Sequence, residues 1–151
     1  MYAENIDVDR IERRLDDIWA IGKTDRGGVT RPAYSERETE AHDYILDELP
    51  DAYETEVDRF GNLYATREPD SDRSLYMGSH LDTVYDGGKF DGAIGVVTAL
   101  EAMEAVYASE REPAVPPTLT VWRAEEPPRF GKTNFGCRGA MGRLTEEDLD
   151  V

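Results

Sequence analysis

His80, Asp82, Asp91, Glu125 and Glu126 are the residues of this chain whose types and spacing suit hydrolytic chemistry. Breaking an unactivated amide or urea-like bond at neutral pH needs a strong nucleophile, and coordination to a metal ion lowers the pKa of water from about 15.7 to roughly 7. A base must then carry away the proton of that water. The ingredients are nitrogen and oxygen ligands, a carboxylate able to bridge two ions, and one further carboxylate beside them. His80, Asp91 and Glu126 could be the ligands and Glu125 the base. His80 and Asp82 lie two apart, so in extended backbone their side chains share one side. An aspartate bonded to the second ring nitrogen of a ligating histidine fixes its tautomer, which suits Asp82. The adjacent Glu125 and Glu126 point apart, so one can hold an ion while the other faces substrate. Each feature also has a plain structural reading: Asp91 as a helix cap, the glutamate pair as acidic surface, and Cys137, the lone cysteine, as a small packed residue rather than a nucleophile.

The elements that must position these residues follow from periodicity and capping. Ile11, Leu15, Ile18 and Trp19 recur at helical spacing after Asp7 and Asp9, either of which could cap the helix. Ser35 with Glu38 reads as a capping box ahead of Ala41, Tyr44, Ile45 and Leu49, with a stop at Pro50. His42 falls among the solvated positions of that helix. Residues 53–58 and 63–67 flank Phe60-Gly61-Asn62 as a hairpin. Leu75-Tyr76-Met77-Gly78 reads as a short buried strand ending where His80 begins, and Asp91 stands at the N-cap of a helix running from Gly92 to Ala108. Thr118–Trp122 is β-rich and runs into Glu125-Glu126. The polar clusters therefore lie at strand ends, where open α/β sheets bind ligands, and the five residues are expected to converge at the carboxyl edge of one sheet. Thr145 through Asp148 has the cap and acidic first turn of a further helix.

Composition narrows the partners. Asp and Glu number 33 against 17 Lys and Arg, a formal charge of −16, and the only lysines are Lys23, Lys89 and Lys132. A phosphate backbone would be repelled, so no nucleic acid is expected. The acids are scattered along the chain, which describes a solvated surface suited to concentrated salt, or else an ordinary acidic protein. One cysteine allows no intrachain disulfide, and no stretch approaches the length of a membrane span, so no membrane association and a cytoplasmic location are expected.

Longer strings carry a more specific signal. Gly78-Ser79-His80-Leu81-Asp82-Thr83-Val84 followed by Gly87-Gly88-Lys89-Phe90-Asp91-Gly92-Ala93 closely resembles the hydantoinase/carbamoylase branch of the dinuclear zinc amidohydrolase and exopeptidase superfamily. Gly27-Gly28-Val29-Thr30-Arg31, Phe60-Gly61-Asn62-Leu63, Glu125-Glu126 with Arg129-Phe130-Gly131, and Phe135-Gly136-Cys137-Arg138-Gly139 support the resemblance, which spans about residues 8 to 151. Related peptidases place more residues between His-x-Asp and the bridging aspartate, so the short spacing favours the carbamoylase branch. The resemblance implies that His80 ligates one metal, Asp91 bridges both, Glu126 ligates the other, Glu125 is the general base and Asp82 supports His80. It further implies two divalent ions (zinc, manganese, cobalt or nickel), a small ureido or carbamoyl substrate of the N-carbamoyl-amino acid, ureidopropionate or allantoate type, and homodimeric relatives whose second domain dimerises and grips substrate.

Two departures from the family stand out. Pro127-Pro128 replaces the more usual small residues after the glutamate pair, a stiffening that bears on the direction of Glu126. Family members are also much longer and carry two more histidine ligands beyond the equivalent of this chain's end, whereas His42 and His80 are the only histidines here. The expected fold is α/β, a mixed sheet flanked by helices, forming the N-terminal part of a zinc-exopeptidase-like catalytic domain that is truncated. Residues 1–151 make one partial catalytic domain, without the dimerisation or lid domain. The expected function is a metal-dependent hydrolase of linear ureido C–N bonds that is inactive as an isolated chain. A companion chain supplying the missing histidines, or a non-catalytic remnant acting as a binding module, are the alternatives.

Overall fold

Asp7 accepts the N–H of Arg10 and starts α1 (Val8–Ala20). α2 (Glu36–Glu48) starts at Ser35, whose hydroxyl accepts the N–H of Glu38. The return arm of the expected capping box does not reach Ser35. Glu38 is fully buried, and its carboxylate takes the Tyr34 N–H and the Arg123 guanidinium instead. The same inward pull overturns the solvated reading of His42, which is 6% exposed and sits 3.4 Å from Glu38 Oε1, one turn away. This computed structural model describes residues 2–68, 70–109 and 113–150, so both ends of the expected 1–151 unit lie outside it.

β1 (Glu54–Val57) and β2 (Leu63–Thr66) form the expected hairpin. Its connection is held by the Asp58 carboxylate, which accepts the N–H groups of Phe60 and Asn62. β3 (Leu75–His80), α3 (Ala93–Tyr107) and β4 (Pro117–Trp122) follow, and the four strands form one mixed sheet in the order β1-β2-β4-β3. β4 runs antiparallel to β2 and parallel to β3, with His80 opposite Trp122. The short α4 (Phe135–Ala140) and α5 (Glu146–Leu149) complete the chain, and Thr145 with Asp148 makes a full capping box for α5.

The core lies on one face of the sheet. Leu15 and Ile18 of α1, Ile45 of α2, and Val97, Leu100 and Met103 of α3 pack against Leu63, Ala65, Leu119 and Val121. Period-two alternation delivers those inward residues in β2 and β4. β3 departs from the expected buried strand: it is the edge strand, with Leu75 58% and Tyr76 61% exposed, and it continues two residues further than the apolar run, through Ser79 to His80.

Candidate active site

Because β3 and β4 are parallel, their carboxyl ends reach the same edge of the sheet. His80 is the last residue of β3, and the chain leaving β4 after Trp122 supplies Glu125 and Glu126. Asp82 follows β3 directly, and Asp91 precedes α3, the helix that crosses from β3 to β4.

Asp82 is fully buried and joins the two segments. Its carboxylate accepts the backbone N–H of Glu125 at 3.2 Å through Oδ1 and that of Glu126 at 2.9 Å through Oδ2. His80 Nδ1 lies 3.0 Å from the Asp82 carbonyl and 3.5 Å from its Oδ1. Asp82 therefore touches the imidazole through both its carbonyl and its carboxylate, and the same carboxylate orients the backbone of the glutamate pair. With Nδ1 so engaged, Nε2 faces outward, 3.5 Å from Glu125 Oε2. The N–H groups used here belong to the two residues before Pro127, so the N–H that proline lacks removes neither bond.

Asp91 is not the N-cap of α3. Gly92 holds that position at φ +66°, and no side chain caps the helix. The physical reason is crowding: a Cβ on Gly92 would stand 2.7 Å from His80 Nδ1 and 2.5 Å from the His80 carbonyl oxygen. Glycine lets the helix start directly against the imidazole, and the Asp91 carboxylate is left free of capping.

The turn that carries the glutamates is braced from behind. Ala124, fully buried, adopts φ +53°, a left-handed conformation that costs a non-glycine residue about 1–2 kcal/mol. The carbonyls of Arg123, Ala124 and Glu125 accept the N–H groups of Gly136, Phe135 and Asn134 at 3.0, 2.8 and 2.7 Å. The Arg123 N–H donates to Asn62 Oδ1, and Asn62 Nδ2 donates to Asp58 and to the Gly136 carbonyl. A Cβ on Gly136 would meet the Arg123 carbonyl oxygen at 2.2 Å. The Phe60-Gly61-Asn62 and Phe135-Gly136 strings are thus the scaffold of the Arg123–Glu126 turn. The Arg123 side chain ties that turn to α2 through Glu38 and Thr39. On the other flank Arg31, 1% exposed, donates to the carbonyls of Leu81, Ile18 and Ile21, and burial pushes its pKa down to about 10. It pins the residue between His80 and Asp82 to the end of α1. Arg31 and Arg123 are the positioning residues that spacing did not single out, although Arg31 lay inside a family string.

Electrostatics at the edge are those of carboxylates within reach of one another's charge. Burial raises the Glu126 pKa, and Asp91, Glu125 and Asp82 raise it further against the opposing pull of His80. Burial opposes charging His80, but Asp82 and Glu125 outweigh it and hold its pKa above the ordinary value. Among the described residues no three His, Cys, Asp or Glu side chains are gathered into a group that could hold a metal ion. The donor chemistry still suits a divalent cation: one imidazole nitrogen turned outward with its partner nitrogen anchored, and carboxylates whose mutual repulsion a cation would relieve. His80, Asp91 and Glu126 could hold such an ion only in part, since catalytic zinc sites commonly use about three protein ligands per ion.

Residues 62–148 match Peptidase family M28. The chain is 34% identical over 152 aligned residues to the N-carbamoyl-L-amino-acid amidohydrolase of Pseudomonas sp. (strain NS671), covering 99% of this chain and 37% of that protein. It is 33% identical to the allantoate amidohydrolase of Bacillus subtilis (strain 168), covering 84% of this chain and 32% of that protein. The crystal structure of a hydantoinase/carbamoylase family amidase from Burkholderia ambifaria superposes with a TM-score of 0.87 at 34% identity, covering 95% of this chain and 36% of that one. This chain thus spans about a third of the length of these relatives. The match includes the β3 and β4 ends that bring His80, Asp82 and the glutamate pair together, and the chain belongs to Peptidase family M28, with hydantoinase/carbamoylase family amidases as its structural neighbours.

Proposed function

We propose that this chain supplies one part of the active site of a metal-dependent hydrolase of linear ureido or carbamoyl C–N bonds, of the N-carbamoyl-amino acid, ureidopropionate or allantoate type. The observation that carries the reading is the Asp82 hub, which orients both glutamates and steadies His80, so that Glu125 Oε2 and His80 Nε2 face each other at 3.5 Å. His80, Asp91 and Glu126 would hold divalent ions, with Asp91 shared between two. Bound there, such ions would lower the pKa of water to roughly 7. Glu125 accepts the proton released from the attacking water and returns it to the departing nitrogen. Asp82 keeps Glu125 at that station and His80 in one tautomer. The site residues form one partial catalytic domain, and turnover needs further donors and a substrate-gripping domain from polypeptide equivalent to what the relatives have and this chain does not span.

A second reading, a non-catalytic binding module, is favoured by the lack of a gathered metal-ligand group among the described residues. The test is an assay of the purified chain with zinc or manganese on N-carbamoyl-amino acids, ureidopropionate and allantoate, beside equilibrium dialysis for metal. We expect weak metal binding and hydrolysis no faster than buffer with metal. Adding a companion polypeptide equivalent to the part of the relatives that this chain does not span should restore turnover, and Glu125→Gln should then abolish it while sparing metal binding. Metal-dependent turnover by the chain alone, lost on Glu125→Gln, would show that it needs no completion. A completed enzyme untouched by Glu125→Gln would remove Glu125 as the base.

A further inference from the structure

Among the described residues the Asp91 carboxylate takes part in no hydrogen bond or ion pair and caps no helix, so its backbone sets where it stands. That backbone is the end of the loop that joins β3 to α3. The middle of the loop is stitched to the segment that follows α1. Val29 bridges Lys23 on one side and Gly87 on the other, and it exchanges hydrogen bonds with Gly87 at 3.0 and 2.7 Å. Asp86 accepts the Thr24 hydroxyl and the Arg26 guanidinium, and gives its own N–H to the Thr30 hydroxyl.

From Gly88 to Asp91 the loop makes no backbone hydrogen bond to that segment among the described residues, and the Lys89 side chain takes over. Its ammonium pairs with Asp16 of α1 and lies 5.1 Å from the centroid of the Trp19 ring. Asp16 and Trp19 are three apart on the helix, so they share a face. The indole is itself fixed, because its N–H donates to the Gly27 carbonyl at 3.3 Å and Lys23 covers the ring at 3.7 Å. Two of the three lysines in a chain of charge −16 therefore meet on one indole, and the Asp16 carboxylate offsets their repulsion. The Phe90 carbonyl accepts the Ile94 N–H at 3.0 Å and the Asp91 carbonyl that of Ala93 at 2.7 Å. Any displacement at Lys89 is carried straight into Asp91 and the first turn of α3.

We propose that Lys89 is a positioning residue for Asp91: its clamp on Asp16 and Trp19 fixes the end of the β3–α3 loop against α1, and so holds the Asp91 carboxylate at the His80 edge without touching the reacting groups. The purpose given to Asp91, meeting a cation, rests on the hydrolytic reading; the clamp itself does not. The same contacts turn the one lysine that lies within two residues of a candidate ligand away toward α1, which leaves the carboxylates open to a metal ion.

The test uses the chain itself, with manganese alone as the probe. Backbone amide relaxation reads the loop without metal. We expect order parameters for Lys89, Phe90 and Asp91 near the rigid value of about 0.85 in the parent and below about 0.6 in Lys89→Ala and in Asp16→Ala. Lys89→Arg should restore them, since a guanidinium pairs with Asp16 and stacks on Trp19. Amide protection in α3 should be the same in every variant, which separates the clamp from general loosening. In equilibrium dialysis, manganese affinity should fall roughly three- to tenfold in each alanine variant, fall no further when the two are combined, and return in Lys89→Arg. Order parameters unmoved by Lys89→Ala would overturn the proposal, because the bridge at Gly87 would then suffice. So would a loosened loop with unchanged manganese affinity. A double variant that binds manganese more tightly than Asp16→Ala would also overturn it, by making the freed ammonium a competitor for the site. A parent chain that binds no manganese counts against the hydrolytic reading, and the order parameters then decide the clamp on their own.

Discussion

At the residue scale the organising group is the Asp82 carboxylate, itself fully buried, because it accepts the part-buried N–H groups of Glu125 and Glu126. Leaving a buried donor unpaired costs about 1–3 kcal/mol. Asp82→Ala should therefore lower unfolding stability by about 2–4 kcal/mol in urea titration. A change within about 0.5 kcal/mol, the usual range of a surface substitution, would mean that Asp82 does not organise the turn. Gly92 makes a complementary case. Gly92→Ala must place a Cβ against the His80 ring at a positive φ, so it should cost about 2 kcal/mol or more and shift the His80 imidazole resonances. An alanine variant with the stability and His80 spectrum of the parent would show that the helix start can retreat from the imidazole.

At the element scale the arginines of α1 set how the helices are held over the sheet. Arg10 and Arg14 grip Glu101 and Glu104 of α3, while Arg13 and Arg14 grip Glu48 of α2. Glu101 has a fully buried side chain, and although burial favours its neutral form, Arg10, the Asp7 N–H and Arg14 hold its pKa below the ordinary value. Hydrogen bonds from Arg13 and Arg14 draw Glu48 down to about 2 against the opposing effect of burial. A depressed carboxylate stabilises the folded state fully above its unfolded pKa and loses that contribution as pH falls toward the folded value. The window for Glu48 runs from about 4.5 down to about 2. Thermal melts should show stability declining through that window. Glu48→Gln should flatten the decline and lower stability at pH 7 by on the order of 2 kcal/mol. An unchanged acid limb in the variant would place the α1–α2 linkage elsewhere.

Charge governs the molecule as a whole. With 33 acids and 17 bases the chain carries a formal charge of −16, and self-repulsion opposes the compact state in dilute buffer. At about 1 M salt the Debye length falls to about 3 Å, which screens exposed acids while leaving buried pairs such as Arg14–Glu101 largely intact. The melting temperature should therefore rise steeply from low to molar potassium chloride. A gain of about 2 kcal/mol would appear as roughly 4–8 °C for a chain of this size. A flat or falling midpoint would refute adaptation of the surface to high salt. Among the described residues no helix is long and apolar enough to cross a membrane.

The sequence by itself determined the features whose causes lie within a few residues: the caps at Asp7, Ser35 and Thr145, the turn at Gly61-Asn62, and the His80-x-Asp82 and Glu125-Glu126 strings that mark the family. Capping and turn chemistry act over about one turn of chain, so local reading suffices. Tertiary structure decided whatever depends on distant partners. Glu38 leaves its capping box for Arg123, 85 positions away, and draws His42 inward with it. Asp82 shares its carboxylate between the imidazole beside it and N–H groups 43 and 44 positions away. Gly92 displaces Asp91 from the helix cap because His80 occupies the space a side chain would need. Leu75 and Tyr76 read as core by hydropathy, yet β3 is an edge strand: strand order is set by which partners pair across the sheet, and no local pattern encodes it.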